Sequence, residues 1–314
     1  MLNLRQGAIH LFRLAGIDVF LHWSWFLVAI YEIESGAGRY SSPLWNVLEY
    51  LALFAIVLMH EFGHALACRQ VGGVANRIML WPLGGVAYVD PPQRPGATLW
   101  SIAAGPLVNV ALLPILLAAE AAAQSAGWPH TLPDAYLLLQ AVLFIDIALL
   151  VFNILPVYPL DGGQILRSLL WFVLGRGRSL AAATVVGFIG IIGFIAYAAW
   201  VRSFWLILMA AYLLMNCWTG LKAARVLVRQ EKLPRREGFA CPSCRSAPPL
   251  GLHWVCPQCR QPVDIFAGGA VCPHCGARFA ATTCLYCFKQ NPVADWTASP
   301  DAQYALPQGG ETDH

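Results

Sequence analysis

The sequence predicts a polytopic α-helical membrane protein of about six transmembrane helices, with a short membrane-associated β-hairpin between two of them and a small cysteine-rich domain near the C-terminus. Three observations carry this expectation. Of 314 residues, 58% are hydrophobic and only 12% charged, with a mean hydropathy of +0.58, whereas a soluble domain is about a quarter charged. Apolar runs recur at lengths near the roughly 20 residues that cross a bilayer. Most of the 10 cysteines fall after residue 240, in four C-x-x-C pairs. The net charge of +3 selects no class of partner. The polar N-terminus leads into an apolar run without a small-residue cleavage site, so the first span is expected to stay attached.

The spans are expected near residues 15 to 32, 48 to 69, 98 to 121, 135 to 157, 180 to 200 and 203 to 219. The first holds the aromatics of WSWF at 23 to 26, and the third, fifth and sixth are rich in small residues that let helices approach closely. Between the second and third lies ANRIMLWPLGGVAYVD, whose β-branched residues and Gly84-Gly85 pair fit a re-entrant hairpin. Residues 162 to 175 read as a short amphipathic helix. With a cytoplasmic N-terminus, inward segments carry fourteen Lys and Arg from Arg5 to Arg236, against Arg39 and Arg202 outside. That bias places both termini in the cytoplasm.

Within the second span stands HEFGH, residues 60 to 64, in the apolar setting LALFAIVLMHEFGHALACR. On a helix His60 and His64 share one face and can reach one ion, while Glu61, about 100° around, can address a water on it. Two imidazoles and one carboxylate form a catalytic zinc set with a position left open, and ionisable groups inside a span are costly and usually functional. Gly63 permits close backbone approach. The third ligand is expected from NILPVYPLDGG, 153 to 163, where two prolines and two glycines break the helix and turn Asp161 inward. Asp146, in FIDIALL, is the competing candidate but lies deeper on regular helix. Asn109 and Asn153 read equally well as packing between helices, and His22 as interfacial. Cys68 and Cys217 read as packing residues.

HEFGH, WPLGG at 81 to 85, AGPLVN at 104 to 109 and NILPVYPLDGG, in that order, resemble the site-2 protease family of intramembrane zinc metalloproteases over roughly residues 10 to 220. The resemblance implies a zinc endopeptidase that cuts transmembrane segments of protein substrates, usually after a prior cleavage. It further implies zinc on His60, His64 and Asp161, with Glu61 activating water. Asn109 is implied to shape the substrate or oxyanion environment, with Asn153 and Asp146 as secondary candidates. The hairpin with Gly84 and Gly85 is implied to present the substrate strand. The prokaryotic cell membrane is the expected location. Two other classes remain open: an intramembrane zinc transporter, which need not keep Glu61, and a metal-regulated scaffold.

The organisation reads as a membrane domain over 1 to 220, a basic juxtamembrane linker over 221 to 238, a cysteine domain over 239 to 290 and a disordered tail over 291 to 314. Cys241, Cys244, Cys256, Cys259, Cys272, Cys275, Cys284 and Cys287 form four knuckles, which imply two four-cysteine structural zinc sites and resemble a double zinc ribbon. The simplest pairing is sequential, first knuckle with second and third with fourth. Within 239 to 290 the basic residues are Arg245, Arg260, Arg278 and Lys289. That is no concentrated footprint for nucleic acid, so a protein partner is the better expectation. The linker LKAARVLVRQEKLPRR is basic enough to lie on anionic lipid.

Overall fold

A computed structural model describes residues 7–36, 38–81 and 84–296. The chain divides into two compact units, Met1–Lys222 and Ala223–His314.

The first unit opens not with a helix but with a hairpin, β1 (Ala8–Leu14) and β2 (Ile17–His22), followed by the 11-residue helix α1 (Trp25–Ser35). The expectation of a transmembrane helix over 15 to 32 is therefore corrected. Ala15 and Gly16 both take positive φ (50° and 74°), the conformation a two-residue turn between twisted strands requires. Ile17, Val19 and Leu21 are buried while Asp18, Phe20 and His22 are not, so the apolar period is two rather than 3.6. The buried row packs on Val57, Ala65 and Cys68 of the long helix α2 (Pro43–Gln70). At one end the Arg69 guanidinium donates to the carbonyls of Ala15 and Gly16. At the other, Trp25 meets Tyr50 and Phe54 edge-on, and the Tyr50 hydroxyl donates to its carbonyl at 3.2 Å. Residues 50 and 69 stand about 28 Å apart along a helix. Strand β2 and the start of α1 thus travel together the distance assigned to a helical span.

After α2, strands β3 (Val74–Trp81) and β4 (Gly84–Asp90) complete a sheet in the order β1-β2-β3-β4, with β2 and β3 parallel and the other neighbours antiparallel. The β element expected as one hairpin is thus part of a four-stranded sheet. Gly84 and Gly85 are strand residues paired with Trp81 and Leu80, not the turn; Pro82 and Leu83 lie outside the described residues. The remaining helices are α3 (Pro95–Ser125), the one-turn α4 (Trp128–Thr131), α5 (Pro133–Ile154), α6 (Asp161–Leu174), α7 (Arg176–Val201) and α8 (Phe204–Glu231). Among the described residues five helices, α2, α3, α5, α7 and α8, are long and apolar enough to cross a membrane, against the six expected.

The second unit holds two small hairpins, β5 (Trp254–Val255) with β6 (Pro262–Val263) and β7 (Ala281–Thr283) with β8 (Gln290–Pro292), then a 3-10 turn at Val293–Trp296. Trp296 is 1% exposed and packs on Phe266 at 5.0 Å. The ordered module therefore runs past the expected boundary at 290, and the tail expected from 291 is corrected as far as Trp296. Residues 297–314 lie outside the described residues. The segment read as a linker is not uniform either. Helix α8 continues through Glu231, while Arg235 donates to the Ala247 carbonyl (2.9 Å) and Arg236 pairs with Asp264 (2.7 Å).

Candidate metal centres

Helix α2 brings His60 and His64 onto one face, one turn apart, both buried. The breaks at Pro156 and Pro159 end α5 and start α6 with Asp161 as its first residue, where a carboxylate is favoured by the helix N-terminus. Gly162 and Gly163 let this turn press on the end of α5: a Cβ on Gly162 would lie 2.1 Å from the Ile154 carbonyl oxygen. As a result His60 Nε2, His64 Nε2 and Asp161 Oδ2 stand at 3.0, 3.1 and 3.2 Å from one another.

Each imidazole is held from behind by α3. Ser101, Gly105 and Asn109, four residues apart, lie along one stripe of that helix. The Ser101 carbonyl lies 2.9 Å from His64 Nδ1, and Asn109 Oδ1 lies 2.7 Å from His60 Nδ1. Gly105 faces both rings, and a Cβ there would come within 2.2 Å of His64 Nε2 and 2.8 Å of His60 Nε2. With both Nδ1 hydrogens donated outward, two nitrogen lone pairs and a carboxylate oxygen converge on one point. They repel unless a cation lies among them, and nitrogen and oxygen donors about 2.0–2.2 Å from one ion fit these separations. His60, His64 and Asp161 therefore fit a single metal site.

Glu61, on the neighbouring face of α2, is 6% exposed and accepts the Ala87 N–H of β4 at 2.8 Å through Oε2. Gly85 makes room for it, since a Cβ there would lie 2.4 Å from Glu61 Oε1. The triad and Glu61 share a cavity of about 440 Å³ with Gly85, Ala87 and Val89 of β4. Asn153, Gln164, Tyr212 and Asn216 add polar groups to its walls. Asn109 is not on that wall: it is fully buried, with Oδ1 on His60 and Nδ2 donating to Asp146 Oδ1 at 2.7 Å. Asp146 is likewise fully buried and stands outside the triad. His22 also stays away, stacked on Trp81 at 4.3 Å. Cys68, on α2, packs in the core against the sheet, and Cys217 donates to the Tyr158 carbonyl.

In the second unit the four knuckles repeat one backbone pattern. The N–H of each first cysteine donates to the residue five positions on, and the residue after each second cysteine donates back: Cys241 to Ser246 and Arg245 to Cys241 in the first, Cys284 to Lys289 and Phe288 to Cys284 in the last. Their pairing is nested, not sequential. Cys241 and Cys244 meet Cys287 and Cys284 at 3.8 Å, while Cys256 and Cys259 meet Cys275 and Cys272 at 3.7 Å. Four sulfurs at about 2.3 Å from one tetrahedral ion stand about 3.8 Å apart, whereas a disulfide needs about 2.05 Å. A hydrogen bond from Cys284, with help from Ser246, holds the Cys244 thiol well below the usual cysteine range. The sequential expectation failed because the chain between the inner knuckles supplies the core. Phe266, from that stretch, meets Trp254 edge-on at 5.4 Å and Trp296 at a tilt at 5.0 Å, in a core that the outer-knuckle cysteines share.

A membrane helix bearing H-E-x-x-H, completed by an aspartate from a broken helix and accompanied by two four-cysteine clusters, defines an intramembrane metalloprotease-type centre with a zinc-ribbon-like module. The model of peptidase family M50 matches residues 49–137 and 133–197, and over that stretch the chain resembles the site-2-protease group of intramembrane zinc metalloproteases. A zinc metalloprotease of Methanocaldococcus jannaschii is 32% identical over 180 residues, 57% of this chain and 50% of that protein. Stage IV sporulation protein FB of Bacillus subtilis is 34% identical over 122 residues, 37% of this chain and 38% of that protein. The chain thus spans half or less of the length of these curated relatives. Among solved structures, the site-2 protease from Methanocaldococcus jannaschii aligns with a TM-score of 0.49 and 27% identity, covering 68% of this chain and 95% of that one.

Proposed function

We propose that this chain is a zinc-dependent endopeptidase that hydrolyses peptide bonds within or near transmembrane segments of other proteins. The observation that carries the reading is the convergence on one cavity of the His60–His64–Asp161 triad, the Glu61 carboxylate and the outer edge of β4, which pairs with no further strand among the described residues. Bound zinc supplies a Lewis acid that activates water and polarises a carbonyl. Glu61 takes the proton from the attacking water and returns it to the leaving nitrogen. A substrate helix must unwind before its carbonyls are reachable, which strands backbone groups in an apolar setting. The β4 edge can pair with them as an added strand. Ala87 N–H then has two suitors, Glu61 and the substrate backbone, so docking of the strand releases Glu61 toward the water.

The basic residues Arg13, Arg69, Arg77, Arg94, Arg176 and Arg178 gather at one end of the helices, with Arg39 and Arg202 at the other. By the positive-inside rule the sheet end of the core is cytoplasmic, as is the chain after α8. The two cysteine clusters hold structural zinc and serve a protein partner.

The test compares wild type with Glu61→Gln for zinc content and cleavage of a membrane-spanning test segment in detergent. Wild type should cut, while the variant keeps its zinc and loses at least about 100-fold in rate, a typical yield of general-base catalysis. Zinc flux across liposomes that survives Glu61→Gln, with no cleavage by wild type, would make the chain a transporter instead.

A further inference from the structure

The two histidines differ in what stands behind them. His64 Nδ1 faces a backbone carbonyl, that of Ser101. A carbonyl only accepts, so Nδ1 must carry the proton and Nε2 keeps its lone pair for a metal. His60 Nδ1 faces the side-chain amide of Asn109, and an amide can present either its oxygen or its NH2. Turned the other way, Asn109 would donate to Nδ1, the proton would move to Nε2, and His60 would have no lone pair for the ion.

What decides the matter is the next group along. Asn109 Nδ2 lies 2.7 Å from Asp146 Oδ1, and a carboxylate can only accept. With the NH2 drawn to Asp146, the amide oxygen must face His60. Asp146 is fully buried in the middle of α5, and its other oxygen, Oδ2, has no hydrogen-bond partner among the described residues. A buried carboxyl so poorly satisfied is costly, and neither packing nor the triad calls for it there.

We infer that Asp146 is a positioning residue: through Asn109 it fixes the direction of a three-member hydrogen-bond chain and so keeps His60 Nε2 open to the metal. The inference rests on reading the triad as a metal site. It assigns Asn109 to the rear of the ligand, not to the substrate wall.

The test uses the full chain in detergent, with zinc affinity measured by chelator competition and the His60 tautomer by nitrogen-15 shifts of the metal-free protein. Asp146→Asn keeps shape but not direction, since the new amide can itself turn. Zinc affinity should fall by about 10–100-fold, the usual effect of losing an outer-shell partner. Exchanging the pair, Asn109→Asp with Asp146→Asn, puts an acceptor-only group directly on His60 Nδ1 and should restore most of the affinity. A merely space-filling Asp146 would leave Asp146→Asn at wild-type affinity and give the exchange no rescue, and that result overturns the inference. The tautomer separates the two readings. An Nε2-protonated His60 in metal-free wild type sinks the chain of hydrogen bonds, whereas an Nδ1-protonated His60 in a protein that takes up no zinc sinks the metal site alone.

Discussion

The membrane centre and the cysteine module both gather metal-ligating side chains, but with different amounts of fold behind them. In the membrane domain three ligands sit on two helices, of which α2, the bearer of both histidines, is already held by the buried row of the sheet and by α3. The site is an addition to a structure that stands without it. In the module the strands are two or three residues long, and the cysteines are themselves a large part of the buried core. There the metal and the fold are the same thing, as in small zinc domains that unfold when stripped. The difference teaches that a ligand set can report either chemistry or architecture, and that what surrounds it decides which.

The largest expected effect breaks the module while leaving the membrane site intact. The three clusters predict three ions per chain. Nested pairing puts Cys241 and Cys284 in one site, so replacing both by serine should cost one ion, whereas sequential pairing would cost two. Replacing Cys241 and Cys256 reverses the arithmetic: two ions lost if nested, one if sequential. Metal content by elemental analysis reads this directly. Limited proteolysis should show the stripped module degraded to the end of α8, with cleavage of a membrane substrate retained.

A second contrast, smaller in structural reach, separates two glycines within the membrane centre. Gly105→Ala sets a methyl 2.2 Å from His64 Nε2, against a ring wedged between α2 and α3. It should abolish metal binding at the triad and activity with it. Gly85→Ala instead meets Glu61, 2.4 Å from Oε1. The carboxylate must swing off Ala87, so zinc content should stay at three ions while cleavage falls by about 100-fold or more. Equal loss of zinc in both variants would mean that the two glycines do not divide the site as described.

How much of this was legible depended on whether the signal was local. The His60–His64 pair and the knuckles are set within five residues, and the sequence reveals them because one helical turn or one tight loop decides the geometry. Asp161 was legible through the prolines and glycines that break the chain around it. The first span was misread because hydropathy averages over a window: Ile17, Val19 and Leu21 alternate with half-exposed residues, and an average is blind to a period of two. The closure of the outer knuckles, Cys241 on Cys287, and the contact of Asn109 with His60 join residues 46 and 49 positions apart. No spacing rule reaches that far. Asp146 had one available signal, a carboxylate in mid-span, but its partner could come only from the packing of α3 on α5.

The smallest of the expected effects concerns the joint between α8 and the module. Asp264 accepts from Arg236 Nη2 (2.7 Å) and the Gly251 N–H (3.0 Å) through Oδ2, and from the N–H groups of Phe266 and Ala267 (3.1 and 3.2 Å) through Oδ1. It ties the segment before the first knuckle to the turn that carries Phe266 into the aromatic core. Asp264→Ala strands these donors and should lower module stability by about 2–3 kcal/mol, the cost of losing hydrogen bonds to a charged group. Both sulfur clusters should still fill, because no cysteine bonds to Asp264 and the knuckles close on their own backbone. The module's midpoint in chemical unfolding should therefore drop while metal content holds at three ions. Loss of an ion in this variant would mean that the joint, and not the sulfurs, organises the module, and the contrast with the membrane centre would narrow accordingly.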